Sequence, residues 1–278
     1  MDLNEFIRLA LEEDIRDGDH STLCCIPAEN EDEAVLKIKE DGIIAGLEIA
    51  EKIFKYVQAD CEIIFSKKDG DRVKKGEEAF RIKAKTRTLL STERLVLNIM
   101  QRMSGIASLT NTYVEKVKDY STKLLDTRKT TPLFRSFQKE AVRIGGGYNH
   151  RMGLYDMIML KDNHTDFCGG IEKAIDAANV YLKEKHLDIK IEVETGSLED
   201  VKRVMAHGGV HRIMLDNFSP TEIKDALLLI EGKYETEASG GIELDTIESY
   251  AATGVDYISV GALIHHATSM DLSLKAVK

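Results

Sequence analysis

Tryptophan is absent from this chain, proline occurs three times, and cysteine four times. With so little proline and no Pro- or Ser-rich stretch, no extended linker is expected. The cysteines, Cys24, Cys25, Cys61 and Cys168, have spacings that fit neither a zinc site nor a disulfide framework. Reduced thiols in a cytoplasmic protein are the expected state, with the adjacent Cys24 and Cys25 pointing to opposite sides of a strand. No apolar run approaches the length of a membrane span. The opening MDLNEFIRLALEEDI is acidic and helical in pattern and lacks the basic and apolar regions of a signal peptide. Positive charge is in short supply overall: the formal net charge is −10. That balance excludes nucleic acid and anionic membrane as partners.

The exception to the acidic balance is residues 126–164. There Arg128, Lys129, Arg135, Lys139, Arg143, His150, Arg151, Lys161 and His164 outnumber the acids. Cations concentrated locally in an acidic protein point to a site for a small polyanion.

The two halves follow different patterns. Residues 1–22 read as an amphipathic helix and a polar turn, and residues 34–84 as short strands around a helix at Leu47–Val57. The glycine spacing at 70–76 resembles a lipoyl-type hairpin, but no modifiable lysine sits at its tip. A long helix is expected from Leu89 to about Lys118. From Lys123 onward, short apolar strands alternate with helices: KLLD, MIMLK, IKIEVE, RIMLD, YETEAS and DYISVG. Alternating βα units imply a parallel sheet, here six strands in a barrel too short for the full eightfold form.

Function in such a barrel gathers at the C-terminal strand ends. Those ends carry Asp126-Thr127-Arg128-Lys129, Lys161, Glu194, Asp216, Ser239-Gly240-Gly241 and Val260-Gly261-Ala262. The small residues after the last two strands suit phosphate; the alternative is that they only form tight turns. Glu194 and Asp216 suit Mg²⁺, directly or through water. They suit equally a general acid–base pair or ion pairs with lysine. Arg128 and Arg151 can each grip a carboxylate or phosphate at two points, and Lys129 and Lys161 supply point charges.

Several long segments then resemble one family in that family's order: ERLVLNIMQRMSGIA, DTRKTTP, GGGYNHRMGLYDMIMLKDNH, IEVET, IMLDNF, ASGGI and DYISVGAL. The chain resembles the quinolinate phosphoribosyltransferases. The resemblance implies an N-terminal α/β sandwich over residues 1–107 and an open six- or seven-stranded parallel α/β barrel over 108–265. A C-terminal helix over 266–278 would pack back on the sandwich. It implies a homodimer in which Arg94 crosses to the partner's site. It implies quinolinate and phosphoribosyl pyrophosphate as substrates, with Mg²⁺. Thr127, Arg128, Lys129, His150, Arg151 and Lys161 would hold the ligand anions. Glu194 and Asp216 would meet the ribose and metal, and Ser239, Gly240, Gly241, Val260, Gly261 and Ala262 the 5′-phosphate. Lys129, Lys161, Glu194 and Asp216 would be catalytic. Three places depart from the family pattern. Leu133-Phe134 stands where Gly-Leu is usual, Lys139-Glu140 where Lys-Tyr is, and Ile264-His265-His266 where Thr-His-Ser is. Other chemistries open to these residues are a Schiff-base aldolase using Lys161, a relative with another acceptor, and a non-catalytic phosphate-ligand binder.

Overall fold

The structure, a computed structural model, describes residues 2–277. The first half of the chain forms α1 (Leu3–Ile15), α2 (His20–Cys25), β1 (Glu31–Ile38), β2 (Gly42–Ile43), α3 (Leu47–Val57), β3 (Glu62–Phe65), β4 (Arg72–Val73), β5 (Glu78–Lys85) and α4 (Thr86–Val117). Then follow β6 (Lys123–Leu125), α5 (Arg135–Ile144), β7 (Ile158–Leu160), α6 (Asp162–Cys168), α7 (Ile171–Lys185), β8 (Ile191–Thr195), α8 (Leu198–His207) and β9 (Arg212–Asp216). The chain ends with α9 (Pro220–Ile230), β10 (Glu235–Ser239), α10 (Ile247–Ala251), β11 (Tyr257–Ser259), α11 (Ala262–His265) and β12 (Leu272–Ala276).

These elements fall into two compact units. One comprises Met1–Asn111, Thr130–Gly146 and His266–Lys278, the other Thr112–Lys129 and Gly147–His265. The boundary falls inside α4.

The first unit is built on an antiparallel sheet in the order β12-β1-β5-β3. Its core comes from one face of the sheet and the apolar stripe of α3. Leu47, Ala50, Ile53 and Phe54 recur at helical spacing and are buried, as are Leu36, Ile38, Phe80 and Ile82. Phe54 meets Phe80 edge to face, with ring centroids 6.1 Å apart. Each such side chain contributes about 1.5–3 kcal/mol by leaving water.

Residues 272–276 form a strand, not the helix expected over 266–278: β12 pairs antiparallel with β1, Leu274 opposite Leu36. The alternation of buried Leu272 and Leu274 with less buried neighbours has the period of a strand. The polar turn 17–22 is also shorter than expected, because Asp19 caps α2 by accepting from the Thr22 N–H. Cys24 and Cys25 therefore lie on a helix rather than a strand, with their sulfurs 3.3 Å apart.

The departure at 133–134 has a local account. Leu133 has φ 62, a conformation natural to glycine and costly for a side chain. Phe134 packs on Phe137 and Phe6, at centroid distances of 4.8 and 6.1 Å.

The second unit is a parallel sheet in the order β6-β11-β10-β9-β8-β7. A parallel bridge from Leu125 to Tyr148 adds a further chain segment beside β6. From β7 onward, helices of this unit connect successive strands as the βα pattern requires, whereas α5, between β6 and β7 in the chain, belongs to the first unit. Helix α9 shows why its start is fixed: Pro220 opens it, and Ser219 and Glu222 satisfy each other's backbone N–H groups. Ile191, Val193, Ile213 and Leu215 are buried. Of the residues alternating with them, Glu192, Glu194, Arg212 and Asp216 are charged and Met214 alone is apolar, and Glu192 stands opposite Arg212 on the neighbouring strand.

Candidate active site

The six-stranded sheet brings most of the expected residues of the second unit to one end of its strands. Thr127, Arg128 and Lys129 follow β6, Lys161 follows β7, Glu194 and Asp216 lie at the ends of β8 and β9, and Ser239-Gly240-Gly241 leaves β10. Val260, Gly261 and Ala262 leave β11. The Thr127 hydroxyl accepts the Lys129 N–H at 3.1 Å, tightening that turn. The His164 Nδ1 accepts the Lys161 N–H at 3.0 Å and so fixes where the Lys161 side chain starts.

Lys161 Nζ lies 2.5 Å from Glu194 Oε2. Asp216 is half-buried; burial, and then the nearby Glu194 carboxylate, raise its pKa. Glu194 and Asp216 are the carboxylates here that could hold a cation, through hard oxygen donors.

The glycines have separate reasons. Gly240 has φ 93, and a Cβ there would fall 2.2 Å from Asn217 Oδ1. Asn217 itself has φ 60, and its N–H is donated to the Ser239 carbonyl at 2.8 Å. Two close backbones thus meet where β9 and β10 end. A Cβ on Gly261 would approach Lys129 Cδ to 3.0 Å.

Arg151 is half-buried. Its Nη1 donates to the Met157 carbonyl at 3.1 Å. Burial first, and Arg128 second, lower its pKa. Two guanidinium groups are thus held close enough to repel.

His150 occupies a different environment from its neighbour. It is 8% exposed and sits over two fully buried glutamates of the sheet interior, Glu192 and Glu237. Its Nε2 is 3.0 Å from Glu192 Oε2 and 3.2 Å from Glu237 Oε2, near in charge terms but off the line of a well-formed hydrogen bond. Its Nδ1 accepts the Arg151 N–H at 2.7 Å, and its own N–H is donated to the buried Asp126 Oδ1 at 2.9 Å. Arg212 closes the cluster: Nη1 is 2.9 Å from Glu237 Oε2, and the guanidinium lies 4.0 Å over the Tyr257 ring.

Burial lowers the pKa of His150, but Glu192 and Glu237 outweigh it, and the value is pushed up to about 9. Burial drives Glu192 up, and the nearby Glu237 adds to that. For Glu237 the effect of burial is outweighed by His150, and the net direction is down. A cation protonated on both ring nitrogens would turn Nδ1–H against the Arg151 N–H at 2.7 Å. The value near 9 therefore belongs to the cluster. Because Nδ1 accepts the Arg151 N–H, the proton of the neutral ring sits on Nε2, facing the two glutamates.

Sequence reading missed Glu192, Glu237 and Arg212. The signal was present: a strand of a covered parallel sheet should be apolar throughout. IEVET and ETEAS instead carry acids at alternate positions, which is the mark of an inward-facing polar row.

Arg94 lies in the other unit. It is exposed on α4 and has no ion-pair partner among the described residues.

Comparison with known proteins gives the family of the chain. The quinolinate phosphoribosyl transferase C-terminal domain matches residues 106–275 and the corresponding N-terminal domain residues 19–104. The chain belongs to the quinolinate phosphoribosyltransferase family. It is 43% identical to the nicotinate-nucleotide pyrophosphorylase (carboxylating) of Arabidopsis thaliana, over 99% of this chain and 82% of that protein. It is 43% identical to the probable nicotinate-nucleotide pyrophosphorylase (carboxylating) of Bacillus subtilis, over 94% and 89% of the two chains. Among solved structures it resembles NadC from Streptococcus pyogenes, with a TM-score of 0.93, 40% identity and coverage of 99% and 97%. The match spans both units, so the resemblance read from the motifs holds over the whole chain.

Proposed function

We propose that this chain transfers the phosphoribosyl group of phosphoribosyl pyrophosphate to quinolinate, with loss of CO₂ and pyrophosphate, giving nicotinate mononucleotide. The observation that carries this reading is the half-buried Arg151 near Arg128, where burial first and then the charge of Arg128 lower the pKa of Arg151. Like charges held together at a half-buried site are stabilised by a dianion, and a pyridine dicarboxylate is one.

Arg128 and Arg151 bind the two carboxylates, with His150 behind Arg151. Lys129 and Lys161 meet the phosphate and pyrophosphate oxygens, with Thr127 shaping the Lys129 turn. Glu194 and Asp216 face the ribose. Ser239, Gly240 and Gly241, with Val260, Gly261 and Ala262, cradle the 5′-phosphate through backbone that approaches closely. The C1–O bond to pyrophosphate breaks, and the pyridine nitrogen attacks the oxocarbenium-like carbon. The ring nitrogen, now cationic, stabilises the electron pair left at C2 as its carboxylate departs as CO₂, and C2 then takes a proton from solvent. No side-chain nucleophile is required; positioning and fixed charge supply the acceleration.

The paired carboxylates Glu194 and Asp216 offer the hard oxygen donors that Mg²⁺ prefers, and their mutual repulsion is what a cation relieves. When bound there, Mg²⁺ neutralises the departing pyrophosphate. A homodimer with Arg94 lent across the interface is supported by that residue's exposure and lack of an internal partner. Cytoplasmic location is supported by four free cysteines. The Arabidopsis thaliana relative is named as chloroplastic. Among the described residues no helix is long and apolar enough to cross a membrane.

The test is incubation with quinolinate, phosphoribosyl pyrophosphate and Mg²⁺, following nicotinate mononucleotide and CO₂. No product overturns the reading. For the shared site, inactive Arg94→Ala subunits are mixed with inactive Lys161→Ala subunits. Activity should return, because one hybrid site keeps both groups. No return in hybrid dimers shown to form would remove Arg94 from the site.

A further inference from the structure

The buried His150–Glu192–Glu237 cluster has no direct part in the reaction as described. Three such groups with their ligating atoms within 4.8 Å of one another have the composition of a metal site. The hydrogen bonds argue otherwise. The Nδ1 of His150 is taken by the Arg151 N–H, so a neutral ring carries its proton on Nε2, the nitrogen facing the glutamates. A protonated nitrogen has no lone pair for a metal. Positive charge is also already present, from Arg212 at 2.9 Å from Glu237 Oε2.

The same geometry makes a chain of dependence from the sheet interior to the ligand clamp. The dipeptide His150-Arg151 is held at three points. Asp126 takes the His150 N–H, His150 Nδ1 takes the Arg151 N–H, and the Met157 carbonyl takes the Arg151 guanidinium. The middle point exists only while His150 keeps its Nε2–H tautomer, and Glu192 and Glu237 face Nε2.

We propose that Glu192 and Glu237 are positioning residues: by holding the proton of His150 on Nε2 they keep Nδ1 free to accept the Arg151 N–H, and so aim the Arg151 guanidinium at the substrate carboxylate. The inference rests on Arg151 as a carboxylate contact, which the proposed function assigns.

Five measurements test it. In the wild-type enzyme, ¹⁵N-histidine NMR at pH 7.5 should give His150 as the Nε2–H tautomer. A ring protonated on Nδ1, alone or together with Nε2, overturns the proposal without touching the proposed function. Glu192→Leu should raise KM for quinolinate at least tenfold while KM for phosphoribosyl pyrophosphate stays within twofold. Glu192→Gln, whose amide oxygen would still face Nε2–H, should keep both within threefold. Equal rises in both KM values, or no rescue by glutamine, mark a merely structural role and overturn it. If Glu192→Leu does not fold, the wild-type spectrum and Glu192→Gln decide. Arg151→Ala separates the two readings: an unchanged KM for quinolinate removes Arg151 from the clamp whatever the tautomer. Stoichiometric zinc in the purified enzyme, lost in His150→Asn, also overturns the proposal.

Discussion

Two interiors in one chain are built on opposite principles. In the first unit, β1, β5 and α3 bury Leu36, Ile38, Phe80, Ile82 and Phe54, and shape alone joins them. In the second, the inward row of the parallel sheet buries Glu192, Arg212 and Glu237 beneath His150, and charge joins them. An apolar core loses stability gradually when trimmed, because neighbours relax into the space. A buried ionic cluster fails abruptly when one member goes, because the partner left behind is an uncompensated charge. The second design gives up tolerance and gains direction: every group in it points somewhere fixed.

Arg212→Ala is the strongest way to break this contrast. It should cost about 3–5 kcal/mol of stability by urea unfolding, because Glu237 is left buried without its guanidinium. A loss below about 1 kcal/mol would mean that the inward row is no more demanding than an apolar core.

The pH dependence comes next. The His150 cluster binds its proton with a pKa of about 9 in the folded protein, against about 6.5 for a free histidine. The folded value is the higher one, so this stabilisation is fully present below about pH 6.5 and is lost as pH rises through 9. Tm should fall across that window, by the equivalent of a few kcal/mol, and His150→Asn should flatten the fall. Acid should act elsewhere. Glu172, held at about 2 by Arg203, favours folding above the ordinary glutamate range and loses that as pH drops toward 2. Glu172 is solvent-exposed, so its effect on Tm at low pH should be small and should fade in salt.

In the first unit, Ile82→Val should cost only about 0.5–1.5 kcal/mol. Leu133→Gly is the finest probe. It relieves the φ of 62 but adds freedom to the unfolded chain, so the net change should stay within about 1 kcal/mol. A large stabilisation would show that strain at Leu133 dominates.

Much of the site was legible because strand ends announce themselves. Lys161, Glu194, Asp216 and Ser239-Gly240 are polar or small residues closing apolar runs, and the topology does bring them to one end of a sheet. The alternation of strands and helices after Lys123 was legible for the same reason. Residues 272–276 were misread because a five-residue apolar segment has too little length to separate the two periods, and only pairing with β1 decides it. Cys24 and Cys25 were misplaced because a six-residue helix hangs on one cap, Asp19.

By itself the sequence determined the two kinds of layer, the order of the polar strand ends and the family, since these follow from local patterns and long motifs. Only the tertiary structure decided that His150 lies over Glu192 and Glu237 while the guanidinium of Arg151, its neighbour, donates to the Met157 carbonyl. Residues 150, 192, 212 and 237 are far apart in the chain. Which proton each one keeps depends on the charges that folding brings within about 3 Å, and no local pattern records that.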